Sequence, residues 1–214
     1  MPILRRPRAA GAALVLCVTL AAGCAAAPGA GSSAPAPTPA SATAATPATA
    51  GTLVLLVRHA EKAAVPGDDP PLSEAGTTRA RALADSLRGV GVTAVIVSPR
   101  RRTAETAAPL AAARGLTPEV VPFGASPAEH VQAVAAAVRR HAGGVVLVVG
   151  HSNTVPAIVT ALGGPRLPDL CDASYATLFT VRLAASSGAP TVSRSGYGTP
   201  DPAGADSCAG MQAR

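Results

Sequence analysis

Three continuous apolar runs, separated by helical patterns, constrain the fold of this chain more than any other feature. The runs occupy residues 53–57, 93–97 and 145–149. A run without polar alternation is typical of a strand that is covered on both faces. The helical patterns begin after Ser73, extend over residues 99–114 and begin again after Ser126. Strands that alternate with helices predict right-handed crossovers and a mostly parallel sheet between helical layers.

We therefore expect a single α/β domain over residues 52–198, built as a three-layer α/β/α sandwich around a mostly parallel sheet. Residues 175–183 and 190–194 are weaker strand candidates, and residues 199–214 form a C-terminal tail rich in Gly, Ser and Pro. Only 2% of the residues are aromatic and there is no Trp. The core must therefore consist of Val, Leu, Ile and Ala side chains.

The first 23 residues have the pattern of an export signal. Three arginines precede an apolar run over residues 9–22, which ends in small residues before Cys24. This pattern describes a secretory signal, and the run is shorter than the roughly 20 residues that a membrane span needs. The ending resembles the lipobox of bacterial lipoproteins, which implies that Cys24 is lipidated and anchors the protein to the outer face of the cell membrane. An ordinary signal peptide that happens to contain Cys24 is the alternative.

The next segment, residues 24–51, is expected to be a tether. From residue 25 onward it contains no charged residue and no side chain larger than that of Pro or Thr. Such a composition cannot bury enough apolar surface to fold. The sequence therefore predicts a folded domain that is tethered to the membrane and not embedded in it.

The net charge of +6 does not indicate a nucleic-acid partner. Three of the 18 basic residues lie in the signal segment, so the remainder has only a small excess over its 12 acidic residues. With two Tyr and two Phe, the chain has no basic face with interleaved aromatic side chains, which single-stranded nucleic acids require.

Each of the three apolar runs is followed by side chains that can bind an anion. They are followed by Arg58-His59, by Ser98-Pro99-Arg100-Arg101-Arg102, and by Gly150-His151-Ser152. Ligands bind beyond the carboxyl ends of parallel strands, so these groups should converge on one crevice. Arg matches phosphate oxygens, and His acts as a nucleophile or proton donor near neutral pH. Two other histidines, His130 and His141, fall in a helical segment and are expected to face solvent.

These motifs resemble the histidine phosphatase (phosphoglycerate mutase-like) superfamily. Arg58-His59 is similar to the signature dipeptide of the family, and Gly150-His151-Ser152 is similar to its late Gly-His motif. The segment 98–107 resembles the second motif of the family, whose arginine corresponds to Arg102. Residues 71–76 resemble the sequence with which the first helix of the family usually begins. The resemblance extends from residue 53 to about residue 162. It departs at Ala60, where many members have Gly.

The resemblance implies a phosphomonoester hydrolase that needs no metal and no cofactor. His59 would attack the phosphorus of a small-molecule phosphomonoester, and water would hydrolyse the resulting phosphohistidine. Arg58, Arg102 and His151, with Ser152 as a further donor, would bind the phosphate oxygens as charge redistributes. The attacking nitrogen of His59 must then be unprotonated, with the other ring nitrogen held by a hydrogen bond.

The general acid that protonates the leaving oxygen has three candidates. Glu129 is the first, because many members of the family carry a carboxylate at a similar interval after the second-motif arginine. Residues 126–129 also fit a capping box, in which Glu129 would bond back to the Ser126 N–H. Glu61, close to His59, is the second candidate, and Asp172 is the third.

The cysteine count predicts a disulfide between Cys171 and Cys208. Cys17 lies in the signal segment and Cys24 is the expected lipidation site, so an exported chain keeps only this pair. The bond would pin the C-terminal tail to the domain. The alternative is two unpaired thiols.

Other functions fit the motifs less well. An α/β-hydrolase needs its catalytic His after the nucleophilic Ser, and no His follows His151. The chain has neither a phosphate-binding Gly-rich loop with Lys nor a His-Glu-x-x-His helix, and His59 and His151 lack the spacing of a zinc site. Two alternatives stay open, a non-catalytic phosphate-ester-binding lipoprotein and a phosphohistidine protein phosphatase.

Overall fold

A computed structural model of the chain describes residues 51–185, 188–205 and 208, all of which belong to one unit. The strands are β1 (Thr52–Arg58), β2 (Ala94–Val97), β3 (Glu119–Val120), β4 (Val145–Gly150), β5 (Thr177–Leu183) and β6 (Thr191–Gly196). The helices are α1 (Glu74–Ser86), α2 (Arg101–Arg114), α3 (Pro127–Arg140) and α4 (Thr154–Ala161). The predicted signal, Cys24, the tether before residue 51 and part of the C-terminal tail lie outside the described residues.

The strands form one six-stranded sheet in the order β3-β2-β4-β1-β5-β6. The first four strands in this order pair in parallel, whereas β5 and β6 add antiparallel pairings beyond β1. The predicted three-layer α/β/α sandwich around a mostly parallel sheet is therefore confirmed. The two late strand candidates are also confirmed as β5 and β6.

Both faces of the sheet are covered, which explains the continuous apolar runs. On one face Leu56 packs with Ile158 of α4 and with the apolar side of α3. On the other face Leu147 packs with Leu83 of α1 and with α2. These four side chains are no more than 1% exposed, and burial of such a side chain stabilises the fold by roughly 1.5–3 kcal/mol.

The start of α1 is fixed by the loop that follows β1. Ser73 caps the helix, because its hydroxyl oxygen accepts a hydrogen bond from the Gly76 N–H at 3.1 Å. The backbone N–H of Ser73 donates to the Glu61 carbonyl oxygen at 2.9 Å. A Cβ atom at position 76 would lie 2.1 Å from that carbonyl oxygen, so only Gly allows this close approach.

Two features of the fold differ from the sequence prediction. The short strand β3 was not predicted, and its pairing with β2 adds a fourth parallel strand at the sheet edge. The expectation that His130 faces solvent is wrong, because this residue is only 2% exposed. Its Nδ1 lies 3.0 Å from the Pro122 carbonyl oxygen, and this hydrogen bond offsets the cost of burying the ring. His141 is half-buried at the end of α3, 3.1 Å from the carboxylate of Glu119.

The C-terminal segment is attached to the loop before β5. Cys171 and Cys208 form a disulfide with a Cα–Cα distance of 5.1 Å. The Asp201 carboxylate accepts hydrogen bonds from the backbone N–H groups of Tyr175 and Ala176 at 2.9 and 3.0 Å. Within the part of the chain that the structure describes, no helix is long and apolar enough to cross a membrane.

Candidate active site

The carboxyl ends of three neighbouring parallel strands bring the predicted site residues together. In the pairing of β1 with β4, Arg58 lies opposite Gly150, and the His59 N–H donates to the Gly150 carbonyl oxygen at 2.9 Å. The ring centroids of His59 and His151 are 5.4 Å apart. Ser98, which follows β2, lies 2.9 Å from the His151 ring. The crevice expected from the three motifs therefore exists.

His59 is buried and held in one tautomer. Its Nδ1 lies 2.8 Å from the Ala60 carbonyl oxygen. A carbonyl oxygen only accepts, so Nδ1 carries the proton and Nε2 of the neutral ring has a free lone pair. Burial lowers the pKa of His59 to about 4, and the nearby charge of Arg58 also lowers it, against the hydrogen bond to Ala60. The ring is consequently neutral at physiological pH, as a nucleophile must be.

His151 is positioned by a short chain of hydroxyl groups. Its Nε2 is bonded to the Ser98 Oγ, which is itself 3.0 Å from the Thr103 Oγ1. Burial, and then the proximity of His59 and Arg102, lower the pKa of His151 to about 3. Ser98 and Thr103 are at most 2% exposed, so this chain fixes the orientation of the ring.

Arg58 is held by the loop that precedes β5. Its Nη1 donates to the carbonyl oxygens of Cys171, Asp172 and Ser174 at 2.8, 3.0 and 3.2 Å. Its guanidinium carbon lies 4.2 Å from the ring centroid of Tyr175, within the range of a cation–π contact. Both N–H groups of Nη1 therefore donate to backbone carbonyl oxygens of the protein.

Arg102 lies beside Asp69, with 3.6 Å between its Nη1 and the carboxylate Oδ1. Burial, and then the charge of Arg100, lower the pKa of Arg102. The Nε atoms of Arg102 and Arg58 are buried and have no hydrogen-bond partner among the described residues. A buried unpaired donor of a charged group is costly. The described protein groups leave both Nε donors unused, and the two guanidinium charges together attract an anion.

A cavity of about 300 Å³ adjoins this cluster. It is lined by Arg102 and His151, by Arg100 and Phe123, and by the first residues of α3 and α4. Its volume lies at the lower end of the range of small-molecule pockets. The cavity has room for a small molecule attached to the bound anion.

The three acid candidates lie outside the cavity lining. Glu129 is exposed, and its Oε2 accepts a hydrogen bond from the Ala125 N–H at 2.8 Å, while its own N–H donates to the Ser126 Oγ. This arrangement is a capping box shifted by one residue from the predicted one. Glu61 pairs with Arg79 at 2.8 Å.

The two remaining predicted residues are near the cluster but do not line the cavity. Asp172 is exposed, and its backbone carbonyl, not its carboxylate, contacts Arg58. Ser152 is half-buried beside His151, and its carbonyl oxygen accepts from the Leu170 N–H at 3.0 Å.

Sequence reasoning missed Asp69 and Tyr175, which contact the two arginines. The acidic pair Asp68-Asp69 between the first strand and the first helix was a usable signal for the former. Tyr175 is one of only two tyrosines, and the sequence pattern indicates only that it begins a strand candidate. Thr106 lies in the segment 98–107, and its Oγ1 accepts from the Ala60 N–H at 2.9 Å, which fixes the backbone after His59.

The described residues include no group of three or more His, Cys, Asp or Glu side chains that could hold a metal ion. Arg58, Arg102 and the neighbouring Arg100 supply positive charge at the cluster. The arrangement provides an unprotonated imidazole nitrogen beside several fixed cationic donors. This chemistry suits nucleophilic attack on a phosphoryl group, because the equatorial oxygens carry the charge.

Comparison with known proteins agrees with this geometry. Residues 54–123 match the sequence profile of the histidine phosphatase superfamily (branch 1). This stretch includes Arg58, His59 and Arg102 and ends before His151. No curated protein matches the chain with significant similarity.

Solved structures share the fold. The protein histidine phosphatase SixA, solved with tungstate, has a TM-score of 0.54 and 23% identity, over 67% of this chain and 96% of that one. The protein described as mycobacterial hydrolase 2 has a TM-score of 0.52 and 19% identity, over 74% of this chain and 97% of that one.

A third similar structure is that of a putative alpha-ribazole-5'-P phosphatase from Escherichia coli. It has a TM-score of 0.51 and 19% identity, over 66% of this chain and 94% of that one. At these identities the likeness shows a shared fold. The sequence points to the same family: residues 54–123, which carry the Arg58-His59 dipeptide and Arg102, match the profile of the histidine phosphatase superfamily, branch 1.

Proposed function

We propose that this protein hydrolyses phosphomonoesters through a phosphohistidine intermediate on His59. The observation that carries the proposal is the fixed tautomer of His59, whose Nδ1–H is bonded to the Ala60 carbonyl so that Nε2 is free to attack. Its lowered pKa keeps Nε2 unprotonated. The SixA structure that shares this fold holds tungstate, an oxyanion of the same geometry as phosphate, which supports a phosphorylated substrate.

The reaction has two displacements at phosphorus. In the first, the Nε2 lone pair of His59 forms a bond to phosphorus, the bond to the leaving oxygen breaks, and that oxygen takes up a proton. In the second, a water oxygen attacks the phosphohistidine, the N–P bond breaks and its electron pair returns to Nε2. The water gives up a proton, and inorganic phosphate and neutral His59 result.

The cationic groups stabilise both displacements. The guanidinium groups of Arg58 and Arg102 bind phosphate oxygens, and the neutral ring of His151, oriented by Ser98, lies across from the nucleophile. Because the donors are already fixed by protein contacts, they need little reorganisation when charge moves onto the equatorial oxygens. No metal ion is required to supply positive charge.

The direct test is phosphate release by the purified chain from p-nitrophenyl phosphate in buffer with EDTA. We expect turnover that is unaffected by the chelator, because the positive charge is supplied by arginine side chains. Binding of phosphate without turnover would instead identify a non-catalytic phosphate-ester-binding protein. Turnover that EDTA abolishes and zinc restores would contradict the proposed mechanism.

We also propose that the domain works outside the cytoplasm on a lipid anchor at Cys24. The basic and apolar pattern of residues 1–23 supports export. The disulfide between Cys171 and Cys208 supports an oxidising compartment. Mass spectrometry of the mature N-terminus tests the anchor, since it would detect a lipid on Cys24 or an unmodified end at another residue.

Glu129 gives a further prediction, because its observed contact is that of a helix cap and not of an acid. Replacement by Ala removes the bond to the Ala125 N–H and is expected to cost about 1 kcal/mol of unfolding free energy. Activity on p-nitrophenyl phosphate and on glycerol 3-phosphate should change by the same factor. Thermal unfolding and kcat/KM on both substrates measure these effects.

Glu74 provides the matched control for this variant. It is an exposed acid in the first turn of α1, so Glu74→Ala alters the charge at a helix start away from the site. A selective loss by Glu129→Ala on glycerol 3-phosphate, whose alkoxide needs a proton to leave, would instead establish Glu129 as the general acid.

A further inference from the structure

The cavity beside His151 extends the cationic character of the phosphate cluster. Its lining includes the guanidinium groups of Arg100 and Arg102 and no carboxylate side chain among the described residues. The N-termini of α3 and α4 also contribute to the lining. Helix N-termini carry partial positive charge. The cavity is therefore suited to an anionic group and not to a cationic one.

Two carboxylates next to residues of the cavity lining are engaged elsewhere. Glu129 packs behind Gly124, with its Oε2 bonded to the Ala125 N–H. The Asp69 carboxylate accepts from the Arg101 N–H at 3.0 Å and lies near Arg102. Neither carboxylate makes an ion pair with Arg100.

Arg100 differs from the two arginines that follow it. Arg101 pairs with Glu105, and Arg102 pairs with Asp69, but Arg100 makes no ion pair within the described part of the chain. Its Nη1 donates to the Asp68 carbonyl oxygen at 3.3 Å.

The ring next to Arg100 is also open to solvent. The guanidinium carbon of Arg100 lies 5.5 Å from the ring centroid of Phe123. Phe123 is 44% exposed, so part of its ring is open to a ligand. This side of the cavity therefore offers a guanidinium group without an ion pair, that of Arg100, and the exposed part of the Phe123 ring.

We propose that Arg100 binds a second anionic group, carried by the leaving-group side of the substrate, while Phe123 packs against its carbon skeleton. The substrate class is then a phosphomonoester whose leaving group bears a carboxylate or a second phosphate. This inference rests on the proposed phosphatase function, because that function places the first phosphate beside His59. It deepens that function by assigning a specificity residue that lies outside the reacting cluster.

Binding of two unreactive phosphonates tests the proposal without requiring turnover. Butylphosphonate and 4-phosphonobutyrate present the same phosphonate, and only the second carries a terminal carboxylate. We expect the chain to bind 4-phosphonobutyrate about tenfold more tightly, which corresponds to about 1.4 kcal/mol. In Arg100→Ala this preference should fall to about one, and in Arg100→Lys, which keeps the charge, part of it should remain. For each variant, isothermal titration calorimetry gives four dissociation constants: those of the wild type and of the variant for each of the two phosphonates.

Arg101→Ala is the matched control, because Arg101 is exposed, pairs with Glu105 and does not line the cavity. It should keep the full preference for 4-phosphonobutyrate. A wild-type chain that binds both phosphonates equally, or a preference that survives in Arg100→Ala, would overturn the assignment of Arg100. If the preference depends on Arg100 but no phosphomonoester is hydrolysed, the binding site stands and only the proposed catalysis fails.

Discussion

Replacing His59 with Ala is expected to lower kcat for p-nitrophenyl phosphate by roughly three orders of magnitude or more, since the variant lacks the atom that bonds to phosphorus. The attacking atom is the Nε2 of His59, which carries no proton because Nδ1 is bonded to the Ala60 carbonyl and the pKa of the ring is lowered. The arginines that bind phosphate remain in the variant, so the loss should appear in kcat and not in phosphate affinity. Steady-state kinetics and calorimetric titration with inorganic phosphate separate the two effects.

The covalent intermediate provides a readout that a structural role of His59 would not produce. Rapid quenching with alkali, in which phosphohistidine survives, should trap a phosphorylated wild-type chain and no phosphorylated His59→Ala chain. His141→Ala is the control, because His141 is a half-buried histidine bonded to Glu119 at the end of α3. It should be labelled and should turn over like the wild type. Labelling of another residue in His59→Ala would contradict the assignment.

The acidic limb of the rate profile follows from the same assignment. His59 is active only when neutral, and its pKa in the folded chain is about 4. Its contribution to kcat/KM should therefore be complete above about pH 5 and be lost as the pH falls through about 4, whereas an unperturbed His would lose it near pH 6.5. Two substrates whose phosphate groups differ in pKa should be compared. A fall in kcat/KM that is caused by His59 occurs at the same pH with both, whereas one caused by the substrate occurs at a different pH with each.

The sheet and the site cluster could be predicted because they depend on local patterns that the topology then brings together. The runs that became β1, β2 and β4 are apolar on both faces, and parallel pairing places the residues that follow them at one edge. Arg58, His59 and His151 meet for this reason alone. Short-range rules were sufficient at these positions.

Other features depend on partners that are distant in sequence. The strand β3 consists of two residues, and only its pairing with Ile96 and Val97 makes it a strand. The carbonyl groups that hold Arg58 lie more than 110 residues away from it, so no local pattern indicates them. His130, in contrast, shares a face with Val134 one turn later in α3. Helical spacing could have shown that it is buried.

Replacing Cys171 and Cys208 together with Ser is expected to lower the unfolding free energy by about 4 kcal/mol and the Tm by roughly 10 °C. The disulfide joins residues separated by 37 positions, and without it the unfolded chain gains the corresponding loop entropy. Chemical denaturation of the oxidised wild type and the variant measures the difference. The wild type treated with dithiothreitol should shift toward the variant, whereas the variant itself should not respond.

The same substitution is expected to weaken phosphate binding severalfold, because Cys171 belongs to the loop that holds Arg58. Its carbonyl and those of Asp172 and Ser174 accept from the Nη1 of Arg58. The C-terminal segment supports this loop through the disulfide and through a hydrogen bond from the Ser174 Oγ to the Ala205 carbonyl oxygen at 2.9 Å. Loss of the bond should let the loop move, and Arg58 would then lose its fixed orientation toward the phosphate.

The effect on binding has to be separated from the effect on stability. Kinetics well below the Tm of the variant, where both proteins are folded, should show a raised KM for p-nitrophenyl phosphate in the variant. Asp172→Asn is the matched control, since Arg58 contacts the backbone carbonyl of this residue and its carboxylate is exposed; KM and Tm should stay at the wild-type values. An unchanged KM in the Cys-free variant would show that the tail stabilises the domain without positioning Arg58. A raised KM with wild-type kcat at saturation would show that the C-terminal segment acts on the active site through the arginine that binds the phosphate.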